Sequence, residues 1–161
     1  MKATPHQHAA GPLHGGLAPR DGKSGAPPPN RGSDLRSSGA CGQCFEISQK
    51  FYFDAAHTLR REIEAEGSRR IHGHTYHAEV SLAGQIDPVT GMVVDLGLVR
   101  AAIEQLRPRL DHHLLDEVEG LGPATLENLA AYIWRAMAES LPGLVQVRVW
   151  RDGVGDSCTL R

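Results

Sequence analysis

The segment Ile71-His72-Gly73-His74-Thr75-Tyr76-His77 constrains this chain more than any other. From His72 to Leu82 the sequence alternates. His72, His74, Tyr76, Ala78, Val80 and Leu82 fall on one side, and Gly73, Thr75, His77, Glu79 and Ser81 on the other. A two-residue period is that of a half-buried strand, whose alternate side chains project from one face. His72 and His74 therefore point the same way. Gly73 removes the side chain between them and leaves room for a neighbouring backbone. A second alternating run, Phe45 to His57, puts Phe45, Ile47, Phe51, Phe53 and His57 on one face. If the two runs pair as antiparallel neighbours, the end of the first meets the start of the second, and His57 joins His72 and His74. Three neutral imidazoles with an open fourth position are the usual ligand set of a catalytic zinc, with Zn–N near about 2.0–2.1 Å. The plainer alternative is a group of hydrogen-bonded polar histidines. The His-Gly-His spacing on one strand face favours metal.

At 161 residues the chain suits one domain with a real core. A net charge of −2 argues against a nucleic-acid or anionic-membrane surface built on bulk charge. No apolar run approaches the roughly 18 residues of a membrane span. No export leader is evident, so a cytoplasmic location is expected. Residues 1–43 are rich in Gly, Pro, Ser and Ala and poor in large apolar side chains. Such a segment cannot bury enough surface to offset chain entropy, which predicts a disordered tail before a domain at 44–161. His6, His8 and His14 in that tail read as solvated spacers. Cys41-Gly42-Gln43-Cys44 lacks the second pair that a structural zinc site needs, and lacks the strand-to-helix setting of a redox dithiol. Two reduced cysteines are expected there. There are no internal repeats.

Beyond the second strand, Gly84 to Gly91 reads as a turn. Asp95 suits the N-cap of a helix to about Arg107, with Leu96, Val99, Ile103 and Leu106 on one face. Pro108 ends or kinks it. Asp111 to Gly122 reads as a loop. Thr125 caps a second helix to about Ser140, with Leu126, Leu129, Ile133 and Met137 as its apolar stripe, and Leu141-Pro142-Gly143 stops it. Val145 to Val149 alternates as a third strand, and Ser157 to Leu160 makes a short fourth.

Five motifs in this order resemble the 6-pyruvoyl-tetrahydropterin synthase family, which includes the 6-carboxy-tetrahydropterin synthases of queuosine biosynthesis. They are Phe53-Asp54-Ala55-Ala56-His57; His72-Gly73-His74-Thr75-Tyr76; Gly84 to Asp95 with its Asp87-Pro88 and Thr90-Gly91-Met92; Leu110-Asp111-His112-His113; and Pro123 to Ala130 with Thr125, Glu127 and Asn128. The resemblance spans about residues 45–161. It implies an α+β tunnelling fold: a four-stranded antiparallel sheet with two helices, in the order β-β-α-α-β-β. It also implies Zn²⁺ on His57, His72 and His74, an acid–base pair at Asp111 and His112, and substrate contacts from Thr125 and Glu127. Dihydroneopterin triphosphate is the implied substrate. The implied assembly is a homohexamer, a dimer of trimers, with active sites between neighbours.

Two positions depart from the family pattern. The family base is usually a cysteine shortly before the His-Gly-His, and here none is present. Depending on the register, its slot holds Glu66 or Ser68. A serine hydroxyl is a poor base without activation, whereas a glutamate raised by burial would serve, as in family branches that carry one. The alternative is a solvated Glu- and Arg-rich loop. The second departure is Arg151, standing where the family places a pterin-binding glutamate at the end of the third strand. Arginine offers donors only, and its planar fork suits a carboxylate or phosphate. Asp152, next along the strand, would face the other way. Three functions stay open: a lyase on dihydroneopterin triphosphate, a zinc lyase or cyclase on a non-pterin anion anchored by Arg151, and a non-catalytic ligand-binding member.

Overall fold

The computed structural model describes residues 43–161. The expectations for residues 1–42, including the tail, its three histidines and Cys41, lie outside the described residues. Cys44 is exposed, with a free thiol.

The two alternating runs form long strands, β1 at Phe45–His57 and β2 at His72–Gly84. They pair antiparallel over their full length, from Phe45 opposite Gly84 to His57 opposite His72. Between them lies a short helix, α1, at Ala65–Arg69. This helix was not expected from the sequence, because five residues rich in charge carry no apolar stripe. β3 is Leu144–Arg151 and β4 is Asp156–Leu160, each slightly longer than the alternation suggested. The sheet order is β1-β2-β3-β4, with every neighbouring pair antiparallel.

Both long helices fall between β2 and β3. α2 runs Leu96–Leu106, and the Asp95 carboxylate accepts from the Gly97 N–H at 2.7 Å. It stops before Pro108, whose ring opens the tighter turn Arg107–Arg109. α3 runs Leu126–Met137, and the Thr125 hydroxyl oxygen accepts from the Asn128 N–H at 3.2 Å. It ends three residues short of Ser140, because the Ser140 and Leu141 N–H groups both turn back onto the Met137 carbonyl.

The helices cover one face of the sheet. Phe53 and Ala55 of β1, Tyr76, Ala78, Val80 and Leu82 of β2, and Val147 and Val149 of β3 are buried there against Val99, Ile103, Leu129, Ile133 and Met137. A fully buried aliphatic or aromatic side chain contributes about 1.5–3 kcal/mol, so this layer fixes which face is inside. The strand parity read from the sequence is thus the parity of the core. The opposite face carries Tyr52, His77 and Trp150 in one cross-strand row. Asp152 belongs to that outer side, accepting from Trp150 Nε1 at 2.8 Å and meeting His77 Nε2 at 3.1 Å.

Candidate active site

Where β1 ends and β2 begins, the helix-covered face carries histidines instead of apolar side chains. His57 stands opposite His72, and His74 opposite Ala55. The ring centroids are 4.5 Å apart for His57 and His72, 5.2 Å for His57 and His74, and 5.0 Å for His72 and His74. One nitrogen from each ring lies within 4.8 Å of the others.

The protonation pattern of these rings is set by carbonyls. His57 Nδ1 lies 3.1 Å from Ala124 O, and His72 Nδ1 lies 2.8 Å from Arg70 O. A carbonyl only accepts, so Nδ1 carries the proton and Nε2 keeps its lone pair. His57 Nε2 and His74 Nε2 are both buried with no hydrogen-bond partner. An unpartnered buried nitrogen is costly unless something binds it. Burial pushes the His57 ring below its ordinary pKa, and nearby His72 adds to this. His74 is pushed down to about 4 by burial and then by Arg151. His57 and His74 are therefore neutral at pH 7, and one nitrogen of each of the three rings faces the same small space. That donor set fits a metal ion that favours imidazole, zinc among them.

Gly73 is not needed for close approach. A Cβ there would sit 3.5 Å from Ala55 O, an ordinary contact.

The cavity beside the cluster has a volume of about 370 Å³. His57, His72, Tyr76, Thr125, Glu127 and Arg151 line it. Tyr76 is held as a neutral phenol, pushed up to about 12 by burial. The α3 cap contributes twice, since Thr125 starts the helix and the preceding Ala124 carbonyl orients His57.

The two candidate bases sit at the edge of this region, on α1. Glu66 is 88% exposed and pairs with Arg70 at 2.7 Å, so a single chain does not bury it. Ser68 is buried, and its hydroxyl donates to the Glu64 carbonyl at 2.9 Å.

Asp111 and His112 are placed elsewhere. They run along the outer edge of β1, where the Asp54 N–H donates to Asp111 Oδ1 at 2.9 Å and the His112 N–H donates to the Asp54 carbonyl. Hydrogen bonding from Asp54 holds the Asp111 carboxyl below its usual range. His112 has a left-handed backbone (φ 62°), its Nδ1 is 3.8 Å from Asp111, and its side chain is 79% exposed. The side chains beside this pair, Asp54 and Thr75, project from the face opposite the three histidines. The structure thus gathers the three candidate ligand histidines into one cluster and places Asp111 and His112 outside it.

Sequence reasoning missed Asp156 at the start of β4. Its carboxylate is paired with Arg151 and lines the same cavity. Only the β3–β4 register, which sets Arg151 opposite Asp156, reveals it.

Residues 46–161 match the sequence model of 6-pyruvoyl tetrahydropterin synthase. The chain belongs to that family. A 6-carboxy-5,6,7,8-tetrahydropterin synthase from Synechocystis is 36% identical over 110 residues, covering 64% of this chain and 83% of that protein. The human 6-pyruvoyl tetrahydrobiopterin synthase is 32% identical over 111 residues, covering 60% and 77%. A guppy (Poecilia reticulata) 6-pyruvoyl tetrahydrobiopterin synthase is 48% identical over 75 residues, but the match spans only 51% of its length. The Caenorhabditis elegans 6-pyruvoyl tetrahydropterin synthase structure superposes with a TM-score of 0.66 at 24% identity, covering 74% of this chain and 96% of that one. This likeness confirms the tunnelling fold of the family. The histidine cluster is its candidate metal centre.

Proposed function

We propose that this chain is a zinc-dependent lyase of tetrahydropterin synthase type, acting on dihydroneopterin triphosphate or a related pterin. The observation that supports this most is the cluster of His57, His72 and His74, with two unpartnered Nε2 atoms and with His57 and His72 lining a cavity of about 370 Å³. Zinc held there would supply Lewis acidity, polarising a substrate hydroxyl or carbonyl oxygen. Glu66 takes a proton from the adjacent carbon. Ser68 is the weaker candidate, because its hydroxyl is spent on the Glu64 carbonyl. A Plasmodium vivax 6-pyruvoyltetrahydropterin synthase is described as having a glutamate as catalytic residue, which supports the choice of Glu66. Thr125 and Glu127 contact the substrate.

Asp111 and His112 act as the acid–base pair in the site of a neighbouring subunit. The exposure of His112 and its place along the β1 edge support this reading. A homohexamer follows as the proposed assembly. A second reaction, carbon–carbon cleavage on the same ring system, is favoured by the Pyrococcus furiosus relative, a dihydroneopterin monophosphate aldolase 32% identical over 96 residues.

The test is metal content and turnover together. Protein purified without added metal should carry zinc and consume dihydroneopterin triphosphate. The His74→Ala variant should lose both. Equal zinc in the two proteins would remove the metal assignment, and zinc-loaded wild type inert on every pterin offered would remove the lyase.

A further inference from the structure

The cavity holds one pair of charges with no task in the scheme above. Arg151 ends β3 and Asp156 opens β4, directly opposite each other. Arg151 Nε donates to Asp156 Oδ1 at 3.0 Å, and its Nη2 donates to Oδ2. The guanidinium carbon lies 5.9 Å from the centre of the Tyr76 ring. The two side chains are unequally covered: Arg151 keeps 14% exposure and Asp156 keeps 38%. The cation is therefore the covered partner, and the carboxylate is the one more open to the cavity.

This arrangement argues against Arg151 as an anchor for a substrate anion. Its charge is already matched by a two-point bond within the chain. An incoming anion would have to displace Asp156 and leave that carboxylate without its cation, in a cavity also lined by Glu127. The carboxylate, by contrast, keeps acceptor capacity. Each oxygen has about two acceptor positions, and Arg151 takes one from each.

We propose that Asp156 is the residue that selects a substrate ring edge bearing N–H donors, and that Arg151 is a positioning residue holding that carboxylate in place. This rests on the pterin reading and deepens it, since the 2-amino group and adjacent ring N–H of a pterin are such an edge. Arg151 and Asp156 together then do what a single acceptor residue at position 151 would do.

The test uses the zinc-loaded full chain and two probes, pterin and lumazine. Position 2 carries an amino donor in pterin and a carbonyl acceptor in lumazine, and the neighbouring N1 is an acceptor in pterin and carries hydrogen in lumazine. Wild type should bind pterin more tightly than lumazine by about tenfold. Asp156→Asn should weaken pterin binding by about ten- to a hundredfold and bring the two affinities together, with zinc content unchanged. Because an unpaired buried arginine could impair folding, the charge-free double variant Arg151→Met/Asp156→Asn is measured alongside, and should match Asp156→Asn. Arg151→Lys should retain more of the pterin preference than Arg151→Met, a graded rescue that bulk packing would not produce. If wild type binds pterin and both Asp156 variants bind it equally well, the inference fails while the pterin reading stands. Tighter binding in Asp156→Asn would make Arg151 the anchor and Asp156 its competitor, which also overturns the proposal. If wild type binds neither ring, the pterin reading fails and takes this inference with it.

Discussion

His74 shows how burial at one residue sets conditions for the whole site. Its ring is pushed down to about 4, below the ordinary value of 6.5. As pH falls, the unfolded chain takes up this proton before the folded chain does. Stability is therefore complete above about pH 6.5 and is lost as pH falls toward 4. In the metal-free protein the loss should reach about 3 kcal/mol at most, because His57, also lowered by burial, is coupled to it. Urea unfolding of chelator-treated protein at pH 7 and pH 4.5 measures this, and equal midpoints would refute it. Glu66 gives a second prediction. Removing a general base costs about 10²- to 10⁴-fold in rate, so Glu66→Gln should lower kcat by that much, whereas Ser68→Ala should stay within a few-fold. Steady-state kinetics on zinc-loaded variants separates the two. At this scale the sequence was informative wherever function follows from parity. His57, His72 and His74 share a face because strands alternate, and Asp152 turns away from the cavity for the same reason. Asp156 was not legible. Its place in the cavity comes from cross-strand register and from a bond to Arg151, and neither is written in local spacing.

The elements divide along similar lines. β1 and β2 were readable because one face of each is buried, and a one-residue slip would have put His72 and His74 outside. α2 and α3 were readable from apolar stripes and from the caps Asp95 and Thr125. The short α1 was not, since five residues with Glu66 and Arg69 on them have no periodicity to detect. The start of α3 links helix stability to the candidate metal centre. Thr125 caps the helix, and the carbonyl just before it, on Ala124, fixes the His57 tautomer. Thr125→Ala should cost about 0.5–2 kcal/mol in unfolding free energy. It should also weaken zinc binding, because a freed Ala124 carbonyl no longer orients the His57 ring. Chelator competition measures the second effect, and unchanged zinc affinity would separate the cap from the site. Gly73→Ala, by contrast, should keep fold and zinc, since the added methyl meets only Ala55 O at 3.5 Å.

The largest gap between sequence and structure lies at the level of the whole molecule. The motifs carrying the three histidines and the Asp111–His112 pair read as one catalytic set, yet a single chain puts them on different parts of the sheet. The histidines occupy the helix-covered face, while His112 sits 79% exposed at the β1 edge. A lone chain cannot bring an exposed edge histidine onto the covered face without breaking the β1 contacts of residues 112–114. A neighbouring copy can present its own His112 to the site, which makes the shared-site reading testable without knowing the assembly in detail. His72→Ala should abolish turnover by removing a ligand, and His112→Ala by removing the pair. Each variant keeps the part that the other lacks. Unfolded together and refolded as a one-to-one mixture, they should regain activity. Random pairing gives one site in about four with intact histidines from one subunit and an intact pair from the next, so recovery should approach a quarter of wild-type turnover. Refolding either variant alone should recover none. A mixture as inactive as its components would place histidines and pair within one chain's site, and the proposed sharing between subunits would be wrong.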